Sequence, residues 1–90
     1  MCDLDDFVIE NGLLTRYEGM SSEVVIPDGV TDIDSGALSY NDTIIRLVIP
    51  MGVTYIGFNS FAGCTNLEEV VLPDSIEKIE DYAFSECVSL

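Results

Sequence analysis

One short stretch occurs three times, as Val25-Ile26-Pro27, Val48-Ile49-Pro50 and Val71-Leu72-Pro73, with 23 residues from each proline to the next. A proline at a fixed interval restricts a chain severely. It lacks the backbone N–H that a strand ladder uses, so it ends a strand rather than continuing one. The flanking positions keep the same register: Val24, Leu47 and Val70 coincide, as do Ile26, Ile49 and Leu72, then Val30, Val53 and Ile76, then Ile33, Ile56 and Ile79. Further on come Leu38, Phe61 and Phe84, preceded by the small Ala37, Ser60 and Ala83, and finally Ile44, Leu67 and Leu90. A leucine-rich pattern with a period of about 20 to 29 residues belongs to a solenoid, in which each coil contributes a strand and a less regular return.

The chain divides accordingly. Residues 1–20 form an N-terminal tail and cap, and residues 21–43, 44–66 and 67–89 form three coils, with Leu90 opening a fourth. Each coil is expected to start with a strand ending at its proline: Glu23 to Ile26, Ile45 to Ile49, Glu68 to Leu72. A turn follows at Asp28-Gly29, Met51-Gly52 or Asp74-Ser75, and then a second piece with period-two apolar spacing, Val30 to Ile33, Val53 to Ile56 and Ile76 to Ile79. These second pieces are expected to stack into another narrow sheet. The segment holding Ala37-Leu38, Ser60-Phe61 or Ala83-Phe84 is too short for a lasting α-helix and suits a single helical or 3₁₀ turn, its bulky residue pointing inward. Ahead of the coils, Phe7 to Glu10 and Leu13 to Tyr17 flank Asn11-Gly12. Asn-Gly is the favoured type I′ pair, so this segment reads as a β-hairpin that covers the first coil. The acidic residues 1–6 read as a loose end that leaves Cys2 exposed.

The residues from Leu67 through Pro73 to Ile79, followed by Tyr82-Ala83-Phe84 and Cys87, closely resemble the BspA-like leucine-rich repeat, a bacterial surface-protein type also found in some protozoa. The second coil resembles it through Ile49-Pro50, Val53, Ile56, Phe61 and Gly63-Cys64; the first departs, with Leu38 for Phe and Tyr40-Asn41 for Gly-Cys. The resemblance implies a mainly β, right-handed solenoid and a non-catalytic role in adhesion or protein–protein interaction at a bacterial surface. It also implies a secreted or surface location. The segment from Met1 to Asp6 has neither the basic start nor the apolar core of a signal peptide, so by itself it leaves a cytoplasmic location open. No apolar run is long enough for a transmembrane helix.

Three Lys+Arg against 17 Asp+Glu give a net charge of −14 with no His, which argues against nucleic acid or anionic membrane as a partner. The acidity serves solubility, or it attracts basic partners or Ca²⁺. Asp28, Asp32 and Asp34, and Asp74, Glu77, Glu80 and Asp81, are the candidate acidic clusters; calcium would need about six to eight converging oxygens. No cofactor is implied. Catalysis lacks a nucleophile with an adjacent base, a phosphate loop or a Gly-x-Ser-x-Gly, and the carboxylates fall on outward positions. Cys64 and Cys87 share a column with Asn41. Stacked coils would bring the two cysteines within about 4.8 Å, in reach of a disulfide, but as small hydrophobes they also suit a narrow corner as free thiols.

Alternation along the main strands sends Leu67, Val70 and Leu72 inward, so their neighbours form two outward ladders. One is Glu23, Arg46 and Glu69, in which Arg46 can pair with either neighbour; the other is Val25, Val48 and Val71. These six residues are the candidate partner contact. For the valines, strand propensity is the competing explanation. Tyr55 and Phe58 add an aromatic spot, exposed or partly buried. The open edge of the last strand could also support a homo-oligomer, because unpaired strand edges recruit other strands.

Overall fold

The computed structural model describes residues 6–90, and in it the prolines stop three strands in succession. In chain order the elements are β1 (Phe7–Glu10), β2 (Leu13–Tyr17), β3 (Glu23–Val25), β4 (Asp32–Ile33), β5 (Arg46–Val48), β6 (Tyr55–Ile56), β7 (Glu69–Val71) and β8 (Lys78–Ile79). They build a three-stranded sheet, β3-β5-β7, and a five-stranded sheet, β1-β2-β4-β6-β8. In the first sheet Val24 lies opposite Leu47 and Leu47 opposite Val70; in the second, Ile33, Ile56 and Ile79 line up. One period of sequence is therefore one step across the parallel strands of both sheets.

The strands are shorter than their sequence segments suggest. Beyond β3 the N–H of Ile26 still donates to Val48 O at 3.0 Å, and beyond β5 that of Ile49 donates to Val71 O at 3.0 Å. The ladder thus runs to the residue before proline and stops where no donor exists. In the second sheet Val30 and Val53 are buried but lie outside the two-residue strands, because the chain is still leaving the turn there.

The hairpin forms as its turn chemistry requires. Asn11 and Gly12 both have positive φ, 52° and 83°, the type I′ combination. Its second strand then takes the place of a preceding coil. Leu14 pairs opposite Ile33, and Leu14 O accepts from Asp34 N at 2.9 Å, as Ile33 O accepts from Gly57 N and Ile56 O from Glu80 N, both at 2.9 Å. Phe7 and Tyr17 close this side of the core, with ring centroids 4.8 Å apart. Asp6 is tied in through its carbonyl, which accepts from Glu18 N at 2.8 Å. The remainder of the expected loose end, with Cys2, lies outside the described residues.

On the third side of each coil the spacing of hydrogen bonds is that of a 3₁₀ turn, for example Ala37 N to Asp34 O and Ala62 N to Asn59 O. A helix does not accumulate. Left-handed residues interrupt each segment: Gly36 and Tyr40, Asn59 and Gly63, Tyr82 and Glu86. The other N–H groups then turn toward the next coil. Tyr17 N donates to Ala37 O at 3.1 Å, Leu38 N to Ser60 O at 2.7 Å and Phe61 N to Ala83 O at 2.8 Å. Neighbouring coils are thus bonded along three sides of a core that contains Leu47, Ile56, Phe61 and Leu67.

Cys64 and Cys87 are free thiols, the first buried and the second half-buried. Each donates to a carbonyl of the preceding coil, Cys64 Sγ to Leu38 O and Cys87 Sγ to Phe61 O, both at 3.2 Å. Asn41 Nδ2 points the same way, to Gly19 O at 3.5 Å. The shared property of the column is a small side chain that donates backward. That explains how Asn replaces Cys in the first coil.

Candidate functional site

The outward face of β3-β5-β7 is set by strand alternation. With Val24 and Leu47 fully buried, the residues on either side of each must face solvent. In-register pairing then places Glu23 beside Arg46 and Arg46 beside Glu69, and Val25, Val48 and Val71 in a parallel row. All six residues singled out in the sequence therefore share one face. Arg46 bridges both acids: Nη1 donates to Glu23 Oε2 at 2.6 Å and Nε to Glu69 Oε1 at 2.9 Å. These bonds, that to Glu23 first, stabilise the guanidinium further and raise its pKa.

The valine row is exposed at its two ends. Val25 is 49% exposed and Val71 37%, with Val48 between them half-buried. Two further exposed apolar residues stand just before and shortly after β5 in the chain, Ile45 at 42% and Met51 at 68% exposure, and alternation did not single them out. A signal for them exists in the sequence. Each is an apolar residue of the middle coil in a column that is polar in the outer coils: Ser22, Ile45, Glu68 and Asp28, Met51, Asp74.

The aromatic spot divides. Tyr55 is half-buried and its hydroxyl donates to Glu80 Oε2 at 3.0 Å, which raises its pKa, whereas Phe58 is exposed. The acidic clusters do not converge into a cation site: among the described residues no three His, Cys, Asp or Glu side chains gather as metal ligands would. Asp34 instead accepts from its neighbour Ser35 N at 2.8 Å, and Glu80 is engaged by Tyr55 and Lys78. No helix among the described residues is long and apolar enough to cross a membrane.

Two sheets whose coil strands run parallel and advance one strand per 23 residues, with a turn-built third side, define a leucine-rich repeat protein. The chain belongs to the family described as BspA type leucine rich repeat region (6 copies), which it matches over residues 2–90. A leucine-rich repeat protein of T. pallidum superposes with a TM-score of 0.90 at 32% identity, covering 99% of this chain and 47% of that one. The chain thus spans about half the length of that relative. A leucine rich cell surface protein from Faecalibacterium prausnitzii (TM-score 0.70, 23% identity, 87% of this chain and 27% of that one) has the same fold. So does a leucine-rich repeat protein from Bacteroides capillosus (TM-score 0.63, 20% identity, 84% and 88%). No curated protein matches the sequence.

Proposed function

We propose that the chain is a non-catalytic protein-interaction module of a bacterial surface or secreted protein, binding its partner through the outward face of β3-β5-β7. The observation that carries this reading is the row Val25, Val48 and Val71. On three adjacent strands in register, Val25 and Val71 are exposed and Val48 between them is half-buried, while their strand neighbours Val24 and Leu47 are fully buried. Extended faces of stacked repeats are the surfaces such proteins present to partners. The surface location accords with the F. prausnitzii relative, which is a cell surface protein. Adhesion is the form of binding that the family suggests.

The test replaces Val48 by Asp and, separately, by Lys, and measures affinity for a purified partner protein. A contact at the centre of the face makes at least one of the two weaken binding about tenfold or more. If neither changes affinity, the site belongs on another side of the stack.

Self-association is a second reading, in which the row Val25, Val48 and Val71 on the outward face of β3-β5-β7 is covered by a second copy of the chain rather than by a foreign protein. Light scattering behind size exclusion, with and without reductant over a wide concentration range, decides it. A strict monomer eliminates this alternative.

A further inference from the structure

The hairpin turn sets two groups that can react with each other in adjacent residues and engages neither. Asn11 is exposed, and neither its side-chain amide nor the N–H of Gly12 has a hydrogen-bond partner among the described residues. The turn type accounts for this: in a two-residue type I′ loop the flanking pair, here Glu10 and Leu13, exchanges the closing bonds, and the central N–H groups take no part. Gly12 also has no side chain to shield its nitrogen. The other three asparagines differ. Asn41 Oδ1 accepts from Thr43 N at 3.0 Å and from Thr43 Oγ1 at 2.7 Å, and Asn66 Nδ2 donates to Asp42 O at 2.7 Å. After Asn59 and Asn66 the next backbone nitrogen is itself engaged, Ser60 N with Gly57 O at 3.3 Å and Leu67 N with Cys64 O at 3.2 Å. All three are followed by a residue with a side chain.

We infer that Asn11 is a site of spontaneous modification, deamidation to aspartate and isoaspartate, and that the isoaspartate product loosens the hairpin cap. The Gly12 nitrogen attacks Asn11 Cγ, the amide nitrogen leaves as ammonia with the proton that Gly12 gives up, and a cyclic imide closes. The attack needs rotation about the Asn11 Cα–C bond, and no hydrogen bond of the two reacting groups opposes it. Water then opens the imide at either carbonyl. Opening at the side-chain carbonyl restores the main chain with aspartate at position 11; opening at the backbone carbonyl gives isoaspartate, whose main chain runs through the side chain and is one atom longer. The two products differ in consequence. Asp-Gly supports the same type I′ turn, so the aspartate form keeps the hairpin and gains a negative charge. The isoaspartate form puts an extra atom into a turn closed by Glu10 and Leu13 and displaces Gly12 O, which accepts from Thr31 N at 2.8 Å and Asp32 N at 3.2 Å and so ties the hairpin to the first coil.

The test incubates the full 90-residue chain in mildly alkaline buffer, folded and in urea, and locates amide-to-acid conversion by peptide mass spectrometry; enzymatic methylation of isoaspartate distinguishes the two products. In the folded chain Asn11 should convert at least about tenfold faster than Asn41, Asn59 or Asn66. Urea should accelerate Asn41 and Asn66, whose groups it releases, more than it accelerates Asn11. Asn11→Gln, whose longer side chain closes a ring far more slowly, should abolish conversion at that position. The isolated isoaspartate fraction should unfold at lower urea than Asn11→Asp, which should match the native chain. Conversion at Asn11 no faster than at Asn59 in the folded chain overturns the inference, because the turn then holds the two groups apart. Conversion at Asn11 with an isoaspartate fraction as stable as Asn11→Asp keeps the site and overturns the loosening of the cap.

Discussion

The two ends of the coil stack are built from the same columns of residues and end differently. At the hairpin end, β2 occupies the place of a preceding coil and buries Leu14 against Ile33, so the first coil is covered on both sides. The third coil has one neighbouring coil among the described residues. There Ile79 is 42% exposed and Leu72 46%, while their counterparts Ile56 and Ile49 are 0% and 2% exposed. The same isoleucine in the same register is core in one coil and surface in the next. Burial in a solenoid is thus a property of the neighbouring coil, and stability is assembled pair by pair.

The largest expected effect measures that difference directly. Ile56→Ala removes a fully buried side chain that has coils on both sides and should cost about 2 to 5 kcal/mol. Ile79→Ala removes a half-exposed one and should cost about 1 kcal/mol or less. Urea unfolding of the two variants gives both values. Equal costs would show that the third coil is packed as tightly as the second, and the contrast between the ends would fail.

A smaller effect, of opposite sign, tests how finely the middle coil is packed. Ser60 is fully buried and its Oγ has no hydrogen-bond partner among the described residues, while the same column holds Ala37 and Ala83. Ser60→Ala should raise stability by about 1 kcal/mol, since it removes an unsatisfied buried hydroxyl without removing a bond. The converse change, Ala37→Ser, should lower stability by a similar amount. Thermal melting of the pair checks the prediction, and a loss of stability in Ser60→Ala would mean that the hydroxyl has a partner in solution.

Much of this arrangement was legible in the sequence because a few residues leave the backbone little choice. Proline fixed the strand ends, Asn11-Gly12 fixed the hairpin turn, and period-two spacing separated the buried Val24 and Leu47 from the exposed row beside them. The turn side was less legible. Tyr40, Tyr82 and Glu86 adopt left-handed backbone with no glycine to announce it. Bonding to the next coil accounts for this at Tyr40, whose N–H reaches Ala62 O at 2.7 Å, and a contact between coils is not visible in any local stretch of sequence. The face shows the same limit. Its ladders follow from alternation within strands, but Ile45 and Met51 lie where the chain enters and leaves a strand, and their exposure depends on the path of the turn.

The smallest effect concerns the cysteine column, where the contrast between covered and open coils becomes chemical. Burial penalises the thiolate of Cys64 and pushes its thiol up to about 11, from an ordinary value near 9.0; Cys87, half-buried in the last coil, is also raised. The thiolate is the reactive form, so at pH 8 iodoacetamide should modify Cys87 before Cys64, as peptide mass spectrometry would show. The linkage has a definite sign. The folded state holds the Cys64 proton more tightly than the unfolded chain does, so this contribution to stability is complete below about pH 9 and is lost as pH rises toward about 11. Between those values the melting temperature should fall more steeply for the native sequence than for Cys64→Ala. If Cys64 were modified as fast as Cys87 at pH 8, the middle coil would open as readily as the last one. The burial contrast between the two would then not govern their behaviour in solution.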